Sequence, residues 1–523
     1  MQQTSKTQVS TSTDGSDSGL EADQKVLAAH QVYAQTVTTA LTAQNTLGVT
    51  DIQLTPPSFV AKQIDACLTD IGCDVVKIGM LASADIVDAV TGKLEEYGIE
   101  RIVLDPVMVA TSGAQLLPGD AVGKLCGRLV KRAELVTPNV PEAVLMVKES
   151  YVLEGKEDVD VKTPSNLEDL KDLARTLRER LGAKNVLVKG GHMPLEEAGD
   201  GILMKSKNGQ DARKIVCDVL FNGTDFEVIQ SEYVSSKNTH GTGCSLASAI
   251  AANLARGHSL SQAVRLAIDY IGEGIRTAPD LGKGSGPINH FHSLQRLPFS
   301  RGKFIPWLLD RPDVKPTWEK YIHHPFARAM GDGSLPVDAF KEYLVQDYLY
   351  LIHFARTNAL AGYKSSSIDT ITASAQIVLH IQREMELHLD YCTSFGLSKA
   401  DIEAHRESTA CVAYSRYVLD IGMSQDYLAL QMALAPCLLG YGLAASMLET
   451  EFRATKDGNR YWKWIENYVA EDYQEAVRKG SELIEEHVWK QSPARVEELV
   501  KVFVRATEME IDFWRFDAHR ILS

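Results

Sequence analysis

The hydrophobic positions follow two different rhythms along the chain. From residue 36 to residue 293, short apolar runs bounded by glycine, proline or polar residues alternate with stretches of helical period. Runs at 37–42, 74–80, 101–106, 135–139 and 185–192 read as strands, 59–71 reads as an amphipathic helix, and further helices follow Ser83 and Pro118. Val-, Ile- and Leu-rich strands alternating with helices predict an α/β fold, a mostly parallel sheet covered by helices on both faces. After Leu297-Pro298-Phe299-Ser300-Arg301-Gly302 the period-2 signal disappears. Helical periodicity then predicts helices over 316–330, 337–361, 367–395, 410–422, 425–449, 460–477 and 495–517, an all-α bundle. The expected organisation is a disordered tail over 1–19, an α/β domain over 20–293, a linker over 294–303 and a helical domain over 304–523.

Polar positions qualify this picture at the front. Residues 1–19 are mostly Ser, Thr, Gln, Asp and Gly, the composition of a tail. A first strand would fall on Val9-Ser10-Thr11-Ser12-Thr13, and burying unpaired hydroxyls costs roughly 1–3 kcal/mol each, so this segment is expected to stay out of the sheet. The 22 residues 427–448 carry no formal charge, but Gln431, Pro436, Gly440, Tyr441 and Gly442 interrupt them, which reads as a buried core helix. The net charge of −15 argues against a nucleic-acid or anionic-membrane binder. Eight cysteines without a Cys-x-x-Cys suggest neither a zinc site nor a disulfide framework, and with no secretory signal in view the expected compartment is the cytoplasm.

The chemistry of the first domain centres on Asn238-Thr239-His240-Gly241-Thr242-Gly243-Cys244-Ser245 and the Ala/Leu-rich helix behind it. Two glycines around a threonine turn the backbone so that successive N–H groups face one point at a helix N-terminus, an anion hole. The same field is expected to lower the Cys244 thiol pKa and make it a base. Gly282-Lys283-Gly284-Ser285-Gly286 lacks the spacing of a P-loop. The Asn-Thr-His-Gly-Thr-Gly-Cys string resembles the anion-hole motif of hydroxymethylpyrimidine and phosphomethylpyrimidine kinases, within the ribokinase-like family. That resemblance extends over strand ends: Thr39 to Thr46, Lys77-Ile78-Gly79-Met80, Asp105, Thr137-Pro138-Asn139-Val140-Pro141-Glu142 and Val188-Lys189-Gly190-Gly191-His192. It implies an ATP- and Mg2+-dependent kinase. Gly241, Thr242, Gly243, Lys189, Asp105 and Asn139 would hold the nucleotide, Glu142 would help place the metal, and Asp23, Gln44 and Met80 would form the pyrimidine pocket. The loop Gly15-Ser16-Asp17-Ser18-Gly19-Leu20-Glu21-Ala22-Asp23 is four residues shorter than the family's. Two readings therefore stand: an active kinase, or a silent binding module joined to a working hydrolase.

In the helical domain, reactive residues recur at helical spacing inside apolar segments. Asp347 and Tyr350 share a face, Cys437 and Tyr441 are one turn apart, and Glu510 follows Thr507. A carboxylate in such a segment is desolvated, which raises its pKa toward a value suited to proton transfer. Gln346 to Tyr350, Ala413-Tyr414-Ser415-Arg416-Tyr417, Pro436 to Tyr441, Trp464 to Tyr468 and Glu510 to Trp514 resemble thiaminase II landmarks. The resemblance implies a haem-oxygenase-like helical fold in which Cys437 is the nucleophile, Glu510 moves protons, Asp347 binds the aminopyrimidine edge, and Tyr350, Tyr414, Tyr441 and Tyr468 enclose the ring. A di-iron site would need two Glu-x-x-His pairs; Glu384 and His388 are spaced by four, so no metal is expected in the bundle. The whole chain resembles the fungal-type fusion of the two enzymes. It is expected to act on small pyrimidine and thiamin substrates in thiamin biosynthesis and salvage, with no nucleic-acid or membrane partner, as a homo-oligomer.

Overall fold

In the computed structural model the described residues are 7–14, 19–108, 117–156, 159–197, 203–205 and 214–515, with side chains left aside at 7–14, 197, 203–205, 384, 387, 388 and 390. The Glu384/His388 pair and the shortened loop at 15–18 thus lie outside what is described. The chain divides into two compact units, residues 1–294 and 295–523.

Unit 1 is built on one sheet. Its parallel part runs in the order β2 (Tyr33–Asn45), β1 (Thr7–Asp14), β4 (Val75–Ile78), β5 (Ile102–Leu104), β6 (Leu135–Val136), β7 (Val186–Val188). Antiparallel strands extend both margins: β3 (Gly48–Leu54) beside β2, and β10 (Ile215–Phe221) beside β7, with β11 (Phe226–Glu232) pairing β10. β8 (Leu195–Glu197) and β9 (Leu203–Lys205) complete it. Strand periodicity sorts the side chains to two faces. Val76, Leu104, Val136 and Val188 pack with α2 (Pro57–Asp70), α3 (Ala84–Glu96), α5 (Val140–Val152) and α6 (Leu167–Leu181). Val75, Val103, Leu135 and Leu187 pack with α7 (Thr242–Ala255) and α8 (Leu260–Arg276) on the other.

The polar first strand is a correction. Instead of staying outside as part of a disordered tail, residues 7–14 form β1 in the sheet interior, paired with β2 from Thr7↔Tyr33 and with β4 from Gln8↔Val75. The backbone explains it: without β1, the facing edges of β2 and β4 would both lose their partners, and β-branched threonines suit a strand. The Ser83 cap is present, its side chain accepting from the Ile86 N–H.

Unit 2 is helical. Its core is formed chiefly by α12 (Val337–Lys364), α15 (Thr409–Ser424), α16 (Tyr427–Glu451) and α19 (Pro493–Phe513), with α10 (Lys315–Ile322), α11 (Pro325–Asp332), α17 (Trp462–Val469) and α18 (Glu471–Val488) against them. Two predicted helices are each broken in two. Pro325 starts a new helix with His324 as its cap, and Ala470, in extended conformation, separates α17 from α18. By length and composition α16 passes as a membrane span, yet 78% of its apolar window is buried inside the unit, the pattern of a core helix.

Candidate functional sites

In unit 1 the anion loop, Lys189 and Asp105 converge at the C-terminal ends of the parallel strands. Gly241 adopts φ 75°, a left-handed conformation favoured by glycine, and so turns the loop into the start of α7. A side chain at Gly243 would come 3.2 Å from Lys189 Nζ and 3.8 Å from Asp105 Oδ2, so the missing side chain keeps that space open. Lys189 Nζ lies 2.7 Å from Asp105 Oδ1, which also accepts from Thr137 Oγ1 at 3.2 Å. Asp105 Oδ2 is buried and accepts no hydrogen bond from the described residues. A buried oxygen left unpaired costs stability unless a ligand meets it.

Asn139 and Glu142 serve the scaffold as well. They form a reciprocal capping box on α5: the Glu142 N–H donates to Asn139 Oδ1 at 2.9 Å and the Asn139 N–H donates to Glu142 Oε2 at 2.8 Å. Burial, opposed by Lys189 and reinforced by Asp105, pushes the Glu142 carboxyl up to about 7. A hard divalent cation suits this donor set of carboxylate oxygens, one of them an orphan.

Cys244 departs from expectation. It is half-buried at the start of α7, and desolvation pushes its thiol up to about 11, against the pull of Lys77 and the Gly19 amide, with Asp105 and Asp23 adding to the rise. Desolvation and the two carboxylates outweigh the favourable groups, so the thiol is protonated in the free protein. Lys77 itself is fully buried and bound to both oxygens of Asp23 at 2.9 and 3.0 Å, with Ser248 Oγ donating to Asp23 Oδ1 at 2.7 Å. Burial opposes the Lys77 charge, but Asp23 overcomes it and holds the pKa above the usual lysine value. Asp23 therefore anchors α1 (Leu20–Ala29) to β4 and α7. Gln44 Nε2 lies 3.0 Å from His240 Nε2, tying the end of β2 to the anion loop, while Met80 is buried and its carbonyl accepts from Thr39 Oγ1.

One supporting residue escaped the motifs. Asp218 on β10 accepts from the Gly190 N–H at 2.8 Å and so pins the turn that follows Lys189; burial raises its carboxyl to about 6. The only sequence signal was an aspartate inside the apolar run Val216-Cys217-Asp218-Val219-Leu220.

In unit 2 the expected residues come from five helices to one place. Tyr350 of α12 stacks on Tyr414 of α15 with centroids 4.9 Å apart, and Tyr414 Oη donates to Glu510 Oε1 of α19 at 2.7 Å. Cys437 of α16 lies close enough to Glu510 and Tyr350 for both to act on its thiol. Desolvation, reinforced by Glu510 and Asp347, pushes the Cys437 thiol well above its ordinary value. Desolvation also raises Glu510 to about 8, against the hydrogen bond from Tyr414. Asp347 is buried and acts electrostatically on both. Tyr441 takes a hydrogen bond from Trp514 Nε1 at 3.2 Å and packs 5.1 Å from Tyr468, which is half-buried. Gln346, within the same landmark, is structural: it accepts from the Ser408 N–H at 2.8 Å and so holds the start of α15. The motifs did not include Tyr321 of α10, which packs on Trp514 at 4.8 Å.

Against known proteins, the phosphomethylpyrimidine kinase family matches residues 14–289 and the TENA/THI-4/PQQC family matches residues 311–520. The chain is 43% identical over 512 residues to putative hydroxymethylpyrimidine/phosphomethylpyrimidine kinase 2 of Schizosaccharomyces pombe, covering 97% of this chain and 90% of that one. It is 33% identical over 533 residues to hydroxymethylpyrimidine/phosphomethylpyrimidine kinase THI20 of Saccharomyces cerevisiae, covering 95% and 92%. A solved phosphomethylpyrimidine kinase from Clostridium difficile is 33% identical, covers 52% of this chain and 99% of its own, and superposes with a TM-score of 0.41. The chain belongs to the phosphomethylpyrimidine kinase family, whose match covers the α/β unit 1, and carries a helical TENA/THI-4 domain as unit 2.

Proposed function

We propose that unit 1 phosphorylates 4-amino-5-hydroxymethyl-2-methylpyrimidine and its monophosphate with Mg-ATP. Unit 2 would hydrolyse thiamin, or aminopyrimidines derived from it, to the same hydroxymethylpyrimidine. The observation that carries the kinase reading is the open space at Gly243, bounded by Lys189 and the orphan oxygen of Asp105. An ordinary helix cap needs no such gap. The Gly241–Gly243 amides and Lys189 hold the transferring phosphoryl group and stabilise its charge. Asp105 and Glu142 are the residues that would hold Mg2+, which neutralises phosphate charge when bound. Gln44 borders the alcohol, while Asp23, buried and bound to Lys77 and Ser248, holds the pocket wall from behind instead of meeting the substrate. Cys244 takes the hydroxyl proton as the new O–P bond forms and the terminal P–O bond of ATP breaks. It must first lose its own proton to solvent, and Lys77 with the Gly19 amide favours that loss.

In unit 2 the Cys437 thiol adds to a ring carbon, with its proton passing through Glu510 to the ring nitrogen. The leaving group departs from the exocyclic methylene, and water adds there, giving a proton to Glu510. Cys437 elimination restores the ring as the nitrogen returns its proton. Asp347 pairs with the aminopyrimidine edge, and Tyr350, Tyr414, Tyr441 and Tyr468 enclose the ring. Eight unpaired cysteines support a reducing compartment, the cytoplasm.

The experiment is ATP-dependent phosphorylation of the hydroxymethylpyrimidine by the full chain, with Cys244→Ala and Cys437→Ser beside it and hydrolysis assayed separately. Each substitution is expected to abolish its own activity and spare the other. Hydrolysis without phosphorylation in the unaltered chain would sink the kinase reading and leave unit 1 as a silent module.

A further inference from the structure

Tyr321 is fully buried, and its hydroxyl completes no hydrogen bond with the described residues. The ring is locked on three sides. It packs on Trp514 at 4.8 Å and edge-on to Trp318 at 5.6 Å, and it crosses α16 at Gly440, where a Cβ would meet Tyr321 Cε1 at 2.1 Å and Oη at 2.9 Å. Gly440 is one turn beyond Cys437 on α16, and Trp514 is one turn beyond Glu510, donating its N–H to the Glu510 carbonyl. The hydroxyl is thereby aimed between the nucleophile and the proton carrier. It approaches the Glu510 carboxyl closely enough to hold its acidity up, yet without the alignment of a completed hydrogen bond.

A buried hydroxyl with no partner destabilises the fold, whereas one that gains a partner only during reaction lowers the barrier. We propose that Tyr321 is a positioning residue for Glu510, a preorganised donor whose hydrogen bond forms when Glu510 gives up its proton and becomes a carboxylate. The other groups facing Glu510 do not fill this role. Tyr414 from α15 already donates to Oε1, Cys437 from α16 shares its own proton with the carboxyl, and Asp347 from α12 opposes the negative charge. Of the remaining tyrosines, Tyr343 from α12 and Tyr441 from α16 accept tryptophan N–H groups, and the groups that act as donors on the Glu510 carboxyl are Tyr414, Tyr321 and Cys437. Tyr321 approaches from α10.

This inference rests on the hydrolase reading of unit 2. All six tryptophans lie in residues 295–523, so tryptophan fluorescence of the full chain follows that unit alone. Tyr321→Phe is expected to leave its unfolding midpoint at pH 6 unchanged or higher. Hydrolytic kcat should fall about 10- to 100-fold with KM within threefold, and the alkaline limb of the pH–rate profile should move to higher pH, because a donor to the ionised form is gone. A lower midpoint, or kcat within twofold of the parent with the limb unmoved, overturns it. Parent and Cys437→Ser chains are assayed alongside. A parent that hydrolyses no aminopyrimidine overturns the hydrolase reading and this inference together. A parent whose activity needs Cys437 but not Tyr321 overturns this inference alone.

Discussion

At the scale of single residues, the two units use burial in the same direction. Cys244 and Cys437 are both pushed up by desolvation, and both sites contain a carboxyl raised toward neutrality, Glu142 to about 7 and Glu510 to about 8. For Glu510 this has a stability consequence of definite sign. Its folded pKa lies above the ordinary 4.5, so the folded state holds the proton more tightly than the unfolded chain does. The stability it contributes is complete below that ordinary value and is lost as pH rises through about 8. Tryptophan-monitored urea unfolding should therefore show unit 2 weakening between pH 5 and pH 8, by up to about 1.4 kcal/mol per pH unit from this group. In Glu510→Gln that slope should disappear, and hydrolysis should fall about 100- to 10,000-fold. A slope that survives the substitution would assign the pH dependence elsewhere.

At the scale of elements, strand ends present the chemistry of unit 1 and their neighbours aim it. Gly190 shows how tightly this is arranged. A Cβ there would stand 2.1 Å from the Cys217 carbonyl oxygen, because β10, the antiparallel neighbour of β7, runs close beside the turn after Lys189. Gly190→Ala is expected to cost about 1–3 kcal/mol by forcing backbone apart. Since Lys189 moves with the turn, phosphorylation should fall further than stability alone explains, with hydrolysis unchanged; equal activity in parent and variant would refute that aim. The motifs made Lys189 legible and left Asp218 invisible. A lysine before two glycines announces a phosphate site, whereas an aspartate in an apolar strand gains meaning only once β10 lies beside the turn. Similarly, the helical period continued through His323-His324-Pro325 without a break, and only proline geometry divides it.

At the scale of the whole molecule, each unit has its own core and its own reactive centre. The buried Lys77–Asp23 pair joins three elements of unit 1, and Lys77→Met would strand the Asp23 charge in an apolar interior. Unit 1 should lose about 3–5 kcal/mol, read by far-ultraviolet circular dichroism, while the tryptophan signal of unit 2 serves as the internal reference. A pair of substitutions, Asp23→Leu with Lys77→Met, should recover much of that loss. If the single and double variants unfold alike, the ion pair is not the linkage it is described to be.

The sequence by itself determined the change from α/β to helical architecture, because periods of two and of 3.6 are local and survive without knowledge of the fold. It also made the candidate residues at strand ends and helix turns legible, because each sits in a short motif that is contiguous along the chain. Tertiary structure decided three things. β1 enters the sheet despite its polar side chains, since backbone pairing on both edges is a long-range property. The Cys244 thiol rises instead of falling, since its surroundings come from α1, β4 and the end of β5, far apart in sequence. Tyr321 reaches Glu510 although nearly two hundred positions separate them, because Gly440 lets α10 lie close against α16. Desolvation and charge are sums over neighbours in space, which no window along the chain contains.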